Sequence, residues 1–418
     1  MTETPDRIGV PPFPLNRPTG CPFDPAAEYA PLRDLEGPVE MSTPAGVNAW
    51  VFTRFDDVRR VLADPRLSSR LAPSAHAVPG ADLDRQIGTA AILQDDGEHH
   101  LRLRRLLASE FTIKRMEALR PRIAQLIEDR LDSMLRSDRP VDLVEVFALP
   151  IPSLVICELL GVPYEERDQF QHRSAILGTV DRRPEELERA GVELGQYAAG
   201  LVLARQAKRE DDLLSRLITR AEEQGDALAV PELVSIVLTL LIAGHETTAN
   251  MIALSTLALL GEPELLRTLR HQPEISAQAV EEMLRYLSVL QFGLFRQIED
   301  DIPLIHSTPA AIPADIKAGE YLIAALPAAN RDDRVFPDPD RIDLTRQGPA
   351  HLAFGFGRHQ CLGQQLARVM LQEVFNRLFR RIPTLRLAVP VEQIRFKDNA
   401  MTYGVATLPV TWERESHR

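Results

Sequence analysis

The sequence has few cysteines and few aromatic residues. Three of the 418 residues are cysteine, and aromatic residues make up 6%. Cys21, Cys157 and Cys361 are odd in number and far apart, which argues against a disulfide framework and favours a reducing compartment, the cytoplasm. Three cysteines are also too few for a four-cysteine iron–sulfur cluster.

The chain also lacks an excess of positive charge. It carries 60 acidic and 48 basic residues, for a net charge of -12. This balance argues against nonspecific binding to nucleic acid or to an anionic membrane. The contents of 44% hydrophobic and 26% charged residues are typical of a soluble globular protein.

No internal repeat, secretory signal pattern or low-complexity linker is visible. Residues 1–20 predict an extended, proline-stiffened leader, and residues 21–418 are expected to form one domain, mainly α with small β-sheets. Helical patterns cover Phe55–Ala63, His99–Ser109, Lys114–Leu135, Val155–Leu160, Ser276–Leu287 and Gln364–Phe379. Strand-like segments cover Trp50–Thr53, Tyr321–Ala325 and Leu408–Trp412.

One long apolar segment, Leu233–Leu260, raises the question of a membrane span. Its middle reads AGHETTAN and holds a glycine, a histidine, a glutamate and two threonines. A lipid-facing helix would pay a large free-energy cost for these polar groups. The pattern therefore predicts a long helix buried inside a soluble protein, and no membrane partner.

Cys361 lies in an unusually glycine-rich segment, HLAFGFGRHQCLG. Backbone amides approach a sulfur closely only where side chains are absent, and Gly355, Gly357 and Gly363 give that access. A helical pattern follows at once, so Cys361 is expected at a helix N-terminus, where a negative charge is favoured. The residues thus favour an anionic, metal-binding sulfur.

Three other interpretations of this segment are weaker. A buried structural cysteine has no need of flanking glycines. A zinc site built from His351, His359 and Cys361 lacks an evident fourth ligand. A dinucleotide-binding loop is excluded because no glycine follows three residues after Gly357.

The stretch FGFGRHQCLG resembles the haem-binding signature of the cytochrome P-450 monooxygenases, in which a cysteine thiolate binds the haem iron. The matching residues are Phe354, Gly355, Gly357, His359, Cys361 and Gly363. The similarity runs from about Cys21 to Trp412 and is greatest for the soluble bacterial members that modify natural products or hydroxylate sterol-like molecules. It implies haem b, held between a long central helix and the loop of Cys361.

The resemblance also assigns roles within the long helix. Ala243 and Gly244 are expected beside the haem, Thr247 is expected to hydrogen-bond the bound dioxygen, and Glu246 is expected to deliver protons. A threonine hydroxyl that bonds a nearby carbonyl opens space in a helix for water and dioxygen. A buried polar kink without chemistry is the alternative for these residues.

Further charged residues gain roles by the same resemblance. His100 and Arg104, four residues apart on one helix face, are expected at the haem propionates together with Arg296 and His359. A solvated basic helix is the alternative for this region. A structural cluster of Glu282, Arg285 and Arg341 is expected to brace the core.

The partners follow from the family as well. Electrons are expected from a ferredoxin and an NAD(P)H-dependent ferredoxin reductase, because the haem domain fills the chain. A basic docking face is predicted from Arg102, Arg104, Arg105, Lys114, Arg115, Arg358 and Arg368. Substrate contacts are expected from Leu71–Leu93, Phe170–Val180, Val289–Phe295 and the turn near Met401.

These substrate segments are rich in apolar residues, which predicts a large hydrophobic substrate such as a polyketide, macrolide, terpenoid or sterol. The predicted protein is a monomeric monooxygenase that inserts one oxygen atom of O2 by hydroxylation or epoxidation. The alternative function is a haem-binding sensor or a non-oxygenating haem protein, which would have no need of Glu246 and Thr247. Extra residues near 303–313 depart from the family pattern.

Overall fold

The computed structural model describes residues 10–13, 17–18, 21–43, 46–70, 92–93, 95–163, 166, 184–303, 315–398 and 400–413. Helices dominate this part of the chain. The α-helices are α1 (Tyr29–Asp34), α2 (Phe55–Ala63), α3 (Gly97–Ala108), α4 (Ile113–Ala118), α5 (Arg120–Arg136), α6 (Pro150–Leu160), α7 (Pro184–Ala207), α8 (Leu213–Glu223), α9 (Val230–Gly261), α10 (Pro263–His271), α11 (Ser276–Leu287), α12 (Leu326–Ala329) and α13 (Gln364–Arg381).

The strands form small sheets at the edges of the helical core. They are β1 (Val39–Ser42), β2 (Asn48–Phe52), β3 (Leu67–Ser68), β4 (Val141–Asp142), β5 (Leu294–Ile298), β6 (Ile302–Pro303), β7 (Asp315–Ile316), β8 (Tyr321–Ala324), β9 (Arg386–Leu387), β10 (Arg395–Phe396), β11 (Val405–Thr407) and β12 (Pro409–Thr411). The largest sheet has the order β1-β2-β8-β5-β3, and the others are β4-β12-β9, β10-β11 and β6-β7.

Helix α9 is the centre of the fold and packs against α6, α7, α11 and α13. It is the one described helix long and apolar enough to cross a bilayer, yet most of its residues are buried by other parts of the protein. A Cβ atom on Gly244 would lie 2.7 Å from the Cδ1 atom of Ile156. A larger residue would therefore displace the Ile156 side chain where α6 crosses α9, whereas α9 itself remains continuous.

The predicted helices Phe55–Ala63 and Ser276–Leu287 are confirmed to the residue. The prediction of one helix over Lys114–Leu135 is wrong, because the chain forms α4 and α5 with a break at Leu119. Pro121 lies in the first turn of α5, where its missing N–H costs nothing, but it could not continue a helix from α4. Apolar periodicity continues across this break and so conceals it.

Helix α6 begins earlier than predicted, at Pro150, after a single π-helical turn at Val144–Ala148. The sequence interpretation gave no helix over α7, α8 or α10. These helices carry scattered charges and lie around the core helix.

Part of the predicted leader contacts the rest of the protein. Phe13 is buried, and its N–H donates to the carbonyl of Ser42 at 2.8 Å. The guanidinium of Arg17 lies 3.8 Å from the centre of the Tyr403 ring. The predicted substrate segments Leu71–Leu93, apart from residues 92–93, and Phe170–Val180 lie outside the described residues, as do residues 304–313 of the predicted extension.

Candidate functional site

The loop before α13 folds tightly around its own backbone. The Cys361 N–H donates to the carbonyl of Phe354 at 2.8 Å, and the Gly355 N–H donates to the carbonyl of Leu352 at 2.8 Å. A short 3-10 helix at Gly357–His359 lies between them. Helix α13 begins at Gln364, so Cys361 precedes its first residue by three positions and does not lie inside the helix.

Two of the three flanking glycines have backbone conformations that other residues avoid. Gly355 has φ 68° and Gly357 has φ 76°. A Cβ atom on Gly357 would also lie 2.3 Å from the carbonyl oxygen of Leu62 in α2. Gly363 has neither constraint, and a Cβ atom built there meets no protein atom within 4 Å. Gly363 therefore borders open space rather than a packed neighbour.

The Cys361 side chain is deep inside the protein and yet has accessible surface. Both facts hold together because the side chain lines an internal space. Burial raises the pKa of the Cys361 thiol, whereas the Gly363 N–H and the positive charges of Arg104 and Arg368 favour the thiolate. One backbone N–H of the loop, together with a cation from α3 and one from α13, thus favours a negative charge on this sulfur.

His100 and His359 meet at the edge of the same loop, with ring centroids 4.2 Å apart. Burial, helped by the positive neighbours His359 and Arg104, lowers the pKa of His100 to about 4. Its Nδ1 atom is buried without a hydrogen-bond partner among the described residues. The Arg104 guanidinium donates to the carbonyl of Gln360 and so binds α3 to the cysteine loop.

Arg296 is a second buried group, and no acidic side chain among the described residues forms an ion pair with it. Its described hydrogen bond goes to the carbonyl of the adjacent Phe295. Burial lowers the pKa of Arg296 to about 10. A buried guanidinium without a carboxylate partner is costly, so an acidic group from outside the protein chain would fit at this position.

Asp96 is a residue that the sequence interpretation did not identify. Its carboxylate accepts from His359 at 2.8 Å and from the hydroxyl of Ser68 at 2.8 Å. Although burial acts in the opposite direction, these hydrogen bonds and that from the Ser69 N–H hold the pKa of Asp96 below its usual range. Asp96 fixes the orientation of His359. Its position beside two histidines in DGEHH was the only sequence signal.

The middle of α9 carries Ala243, Glu246 and Thr247, the residues predicted for haem contact and oxygen chemistry. The Thr247 hydroxyl donates to the carbonyl of Ala243 at 3.0 Å, as expected for a threonine that competes for a helix carbonyl. Ala243 keeps accessible surface although it lies midway along the core helix. Glu246 is paired with Lys397 at 3.2 Å. Lys397 was not identified from sequence because it is 151 residues away along the chain.

The predicted cluster around Glu282 is correct in two of its three members. Arg285 and Glu282 are buried and joined by two hydrogen bonds of 2.8 Å. The third member is Arg346, whose Nε donates to both carboxylate oxygens of Glu282 at 3.1 and 3.2 Å. Arg341 is exposed and contributes only its carbonyl. Two arginines five residues apart in DRIDLTR fit the pattern equally well, and the path of the loop decides between them.

Most members of the predicted docking face have acidic or carbonyl partners. Arg102 pairs with Asp226 and Glu232, Arg115 with Glu110, and Arg368 with Glu281. Arg358 donates to the carbonyl of Pro65 at 2.6 Å. The net positive potential of this surface is therefore smaller than the number of its cations indicates.

Comparison with known proteins agrees with the geometry. A model of the cytochrome P450 family matches residues 185–411. The sequence is 43% identical to cytochrome P450-SU2 of Streptomyces griseolus over 412 residues, which cover 98% of each protein. The chain belongs to the cytochrome P450 family. The vitamin D3 dihydroxylase of the same organism is 41% identical to this P450, over 99% of this chain and 100% of that protein.

Solved structures confirm the fold of this P450. The crystal structure of CYP105P1 in complex with filipin I matches it with a TM-score of 0.89 and 41% identity, covering 97% of this chain and 99% of that one. The structure of MycCI bound to mycinamicin VIII matches with a TM-score of 0.87 and 36% identity, covering 96% and 100%. The predicted family, the mainly α fold, monooxygenase activity and the haem cofactor are confirmed.

The residues of this P450 fit a haem. Cys361 and Gly363 border an internal space on one side, and Ala243 gives α9 accessible surface inside the protein. His100 Nδ1 lacks a partner and Arg296 lacks an acidic one among the described residues. The two propionates of haem are acceptors of the kind these two groups lack.

Proposed function

We propose that this P450 hydroxylates or epoxidises a large hydrophobic natural product, with electrons from a separate ferredoxin and its NAD(P)H-dependent reductase. The observation that carries the proposal is Cys361, a fully enclosed cysteine that still presents accessible surface to the interior. Donors and cations surround that sulfur, and α9 presents a threonine and an acid. A haem-binding protein that catalyses no reaction has no need of the threonine and the acid on α9.

Cys361 is the proposed iron ligand in this arrangement. His100, Arg104, Arg296 and His359 are the proposed propionate partners, with Phe354, Gly355, Gly363, Ala243 and Gly244 around the porphyrin. When bound, haem supplies the electron transfer and oxygen activation that amino-acid side chains lack. The protein binds and orients the group, and its donors stabilise the charge on the sulfur.

Thr247 and Glu246 have the proposed role of proton delivery. The Thr247 hydroxyl is fixed by its bond to the Ala243 carbonyl, which leaves its oxygen free to accept a second hydrogen bond. The Glu246 side chain is 17% exposed and is paired with Lys397 of the hairpin. Glu246 and Thr247 are adjacent residues of α9, and transfer of protons from the acid towards the hydroxyl is the proposed step.

The proposed substrate is apolar and large. Two of the predicted substrate segments lie together, since the N–H of Tyr403 donates to the carbonyl of Val289 at 2.7 Å and Leu290 pairs with Thr402. Phe292 and Phe295 of this region are buried in a hydrophobic cluster with Phe13 and Tyr29, which supports the segment from the protein side. The names of the vitamin D3 dihydroxylase and of the mycinamicin VIII hydroxylase support a polyketide, macrolide, terpenoid or sterol.

The proposed electron donor is an acidic ferredoxin that binds near the Cys361 loop. Arg105 and Lys114 are exposed there, and their described contacts include no carboxylate. A surface with few unpaired cations supports a weak and salt-sensitive complex, which suits rapid electron exchange. A monomer in the cytoplasm is part of the same proposal.

A spectrum of the reduced, carbon-monoxide-bound protein tests the ligand, since a thiolate shifts the Soret band far to the red of a histidine-bound haem. Apolar compounds are then screened for a spin-state change, and those that bind are tested for oxygenated products with ferredoxin, reductase and NADPH. A normal carbon-monoxide spectrum without any product from binding compounds would contradict the monooxygenase proposal.

Thr247→Ala tests the proton role. The variant is expected to keep the carbon-monoxide spectrum but to lose roughly tenfold or more in product formed per NADPH, with hydrogen peroxide in its place. Thr247→Ser keeps a hydroxyl and is the matched control. Equal coupling in the alanine variant and the wild type would exclude Thr247 from proton delivery.

A further inference from the structure

A polar cluster joins the acid of α9 to the hairpin of β10 and β11. It consists of Glu246, Asn250, Lys397 and Thr402 and is called the acid cluster below. The Lys397 Nζ donates to Glu246 Oε1 at 3.2 Å and to Asn250 Oδ1 at 3.1 Å. Glu246 and Asn250 are four residues apart, so they lie on one face of α9. One lysine therefore binds two successive helix turns.

Asn250 completes the connection from helix to hairpin. Its Nδ2 donates to the backbone carbonyl and to the hydroxyl of Thr402, both at 3.3 Å. The helix and the hairpin approach closely because Gly404 has no side chain. A Cβ atom there would lie 2.2 Å from Asn250 Oδ1. The acid cluster therefore depends on close packing between α9 and the hairpin, which the absence of a side chain at Gly404 allows.

The described residues of the hairpin turn, 397–398 and 400–404, are held in place by further hydrogen bonds. The Lys397 N–H donates to the carbonyl of Gly404 at 2.9 Å. The Gln291 side chain is buried and donates to the carbonyls of Asp398, at 2.9 Å, and Ala400. Because this turn fixes the backbone of Lys397, it also fixes where the ammonium group meets Glu246.

The Lys397–Glu246 ion pair is partly buried, which suits a lysine that orients the glutamate carboxylate. The side chains of Lys397 and Glu246 are 25% and 17% exposed. A pair this far out of water is screened less than a surface pair, so its geometry is better defined. The same turn carries Met401 and Thr402, which border the proposed substrate region. A substrate that moves the turn therefore also moves the cation that holds Glu246.

We propose that Lys397 is a positioning residue for proton delivery, and that through it the 397–404 turn sets the orientation of the Glu246 carboxylate. This inference rests on the proposed role of Glu246. Lys397 acts through its hydrogen bonds to Glu246 and Asn250. Its effect is to hold the Glu246 carboxylate in one rotamer during turnover.

Lys397→Met removes the charge and keeps the length of the side chain. With a compound that the wild type oxygenates, the product formed per NADPH is expected to fall by about threefold or more, because an unrestrained acid delivers protons less directly. The solvent deuterium isotope effect on turnover is expected to rise. Lys397→Arg keeps the charge and is expected to restore most of the coupling.

Two further measurements separate positioning from a merely structural role. The reduced carbon-monoxide spectrum of Lys397→Met is expected to equal that of the wild type, and a crystal structure of the cofactor-loaded variant is expected to show the Glu246 carboxylate away from Asn250. Lys317→Met, which removes an exposed lysine paired with Asp301, is the control and is expected to leave both coupling and spectrum unchanged.

Unchanged coupling and isotope effect in Lys397→Met would overturn the proposal. If that variant fails to retain haem, Lys397→Gln, which keeps a donor but no charge, is measured in its place. Loss of haem in both variants would show that Lys397 is structural and would equally overturn it. A wild-type protein that forms no product from any binding compound contradicts the proposed function instead, so the two failures are distinguishable.

Discussion

The cysteine loop and the acid cluster differ in how they are built. The loop around Cys361 is formed by residues within thirteen positions of one another, fixed by glycine conformations and backbone hydrogen bonds. The acid cluster draws on two segments about 150 residues apart and uses side-chain contacts. Local backbone geometry leaves a sequence signature, whereas a contact between distant side chains does not. The cysteine loop can therefore be predicted from the sequence, whereas the contacts of the acid cluster cannot.

Cys361→Ala is the change with the largest expected effect on the loop. The variant is expected to lose the thiolate-type spectrum of the reduced carbon-monoxide form and all measurable oxygenation, because no other sulfur replaces the ligand. The reduced carbon-monoxide spectrum and product analysis check this. Cys157→Ala is a buried cysteine control that keeps the ligand. If Cys361→Ala kept the wild-type spectrum, Cys361 would not be the iron ligand and the cysteine loop would not form part of the site.

Gly357→Ala tests whether backbone geometry builds the loop. The new Cβ would lie 2.3 Å from the Leu62 carbonyl at a φ of 76°, so we expect a loss of about 3 kcal/mol in the free energy of unfolding. Urea denaturation gives the value. Gly348→Ala, where a Cβ meets no atom within 4 Å, is the control. Equal stability of the two variants would show that the loop tolerates rearrangement.

Arg346→Met and Arg341→Met separate the two arginines of the supporting cluster. Arg346 bonds the buried Glu282, and its loss leaves that carboxylate with Arg285 and the N–H of Asp343 as donors, so we expect a cost of about 2 kcal/mol. Arg341 is exposed, and its replacement is expected to change stability by less than about 0.5 kcal/mol. Denaturation curves of both variants test this order. The reverse order would reinstate Arg341 as the third member.

An effect smaller than that at Arg346 is expected at His99, which connects the starts of α3 and α9 through Asp95 and Glu232. Hydrogen bonds to these two carboxylates raise the pKa of His99. The resulting stabilisation is fully present below the unfolded pKa of about 6.5 and is lost as the pH rises through the higher folded value.

His99→Gln is therefore expected to lower stability near pH 6 by no more than about 1 kcal/mol, since the side chain is 44% exposed. The difference from the wild type should be smaller at pH 9. Thermal unfolding at both pH values checks it. A difference that grows with pH would show that the neutral imidazole, and not the charged one, makes the contact.

Several parts of the fold were predictable because their causes are local. The helices Phe55–Ala63 and Ser276–Leu287 show apolar periodicity with clear ends, and both predictions hold to the residue. The break at Leu119 was missed because periodicity does not register the proline that starts a new helix. Helix α7 was missed because its apolar and charged residues are mixed around the helix, whereas α8 and α10 were missed although their apolar residues follow the helical period.

The candidate site divides in the same way. Cys361, Thr247 and Glu246 stand in local motifs and could be selected from the sequence, and so could His100 by its spacing from Arg104. Asp96 and Lys397 could not, because each is recognised by what it contacts across the fold. Arg346 rather than Arg341 joins Glu282 for the same reason.

The sequence by itself determined the family, the cofactor and the ligand loop, because a thiolate site needs glycine and donors at fixed spacing along the chain. Only the tertiary structure decided which cation meets Glu246, which arginine meets Glu282 and which acid holds His359. The reason is physical: backbone conformation depends on neighbouring residues, whereas the pairing of buried charges depends on which distant segments the packed core brings within hydrogen-bond distance.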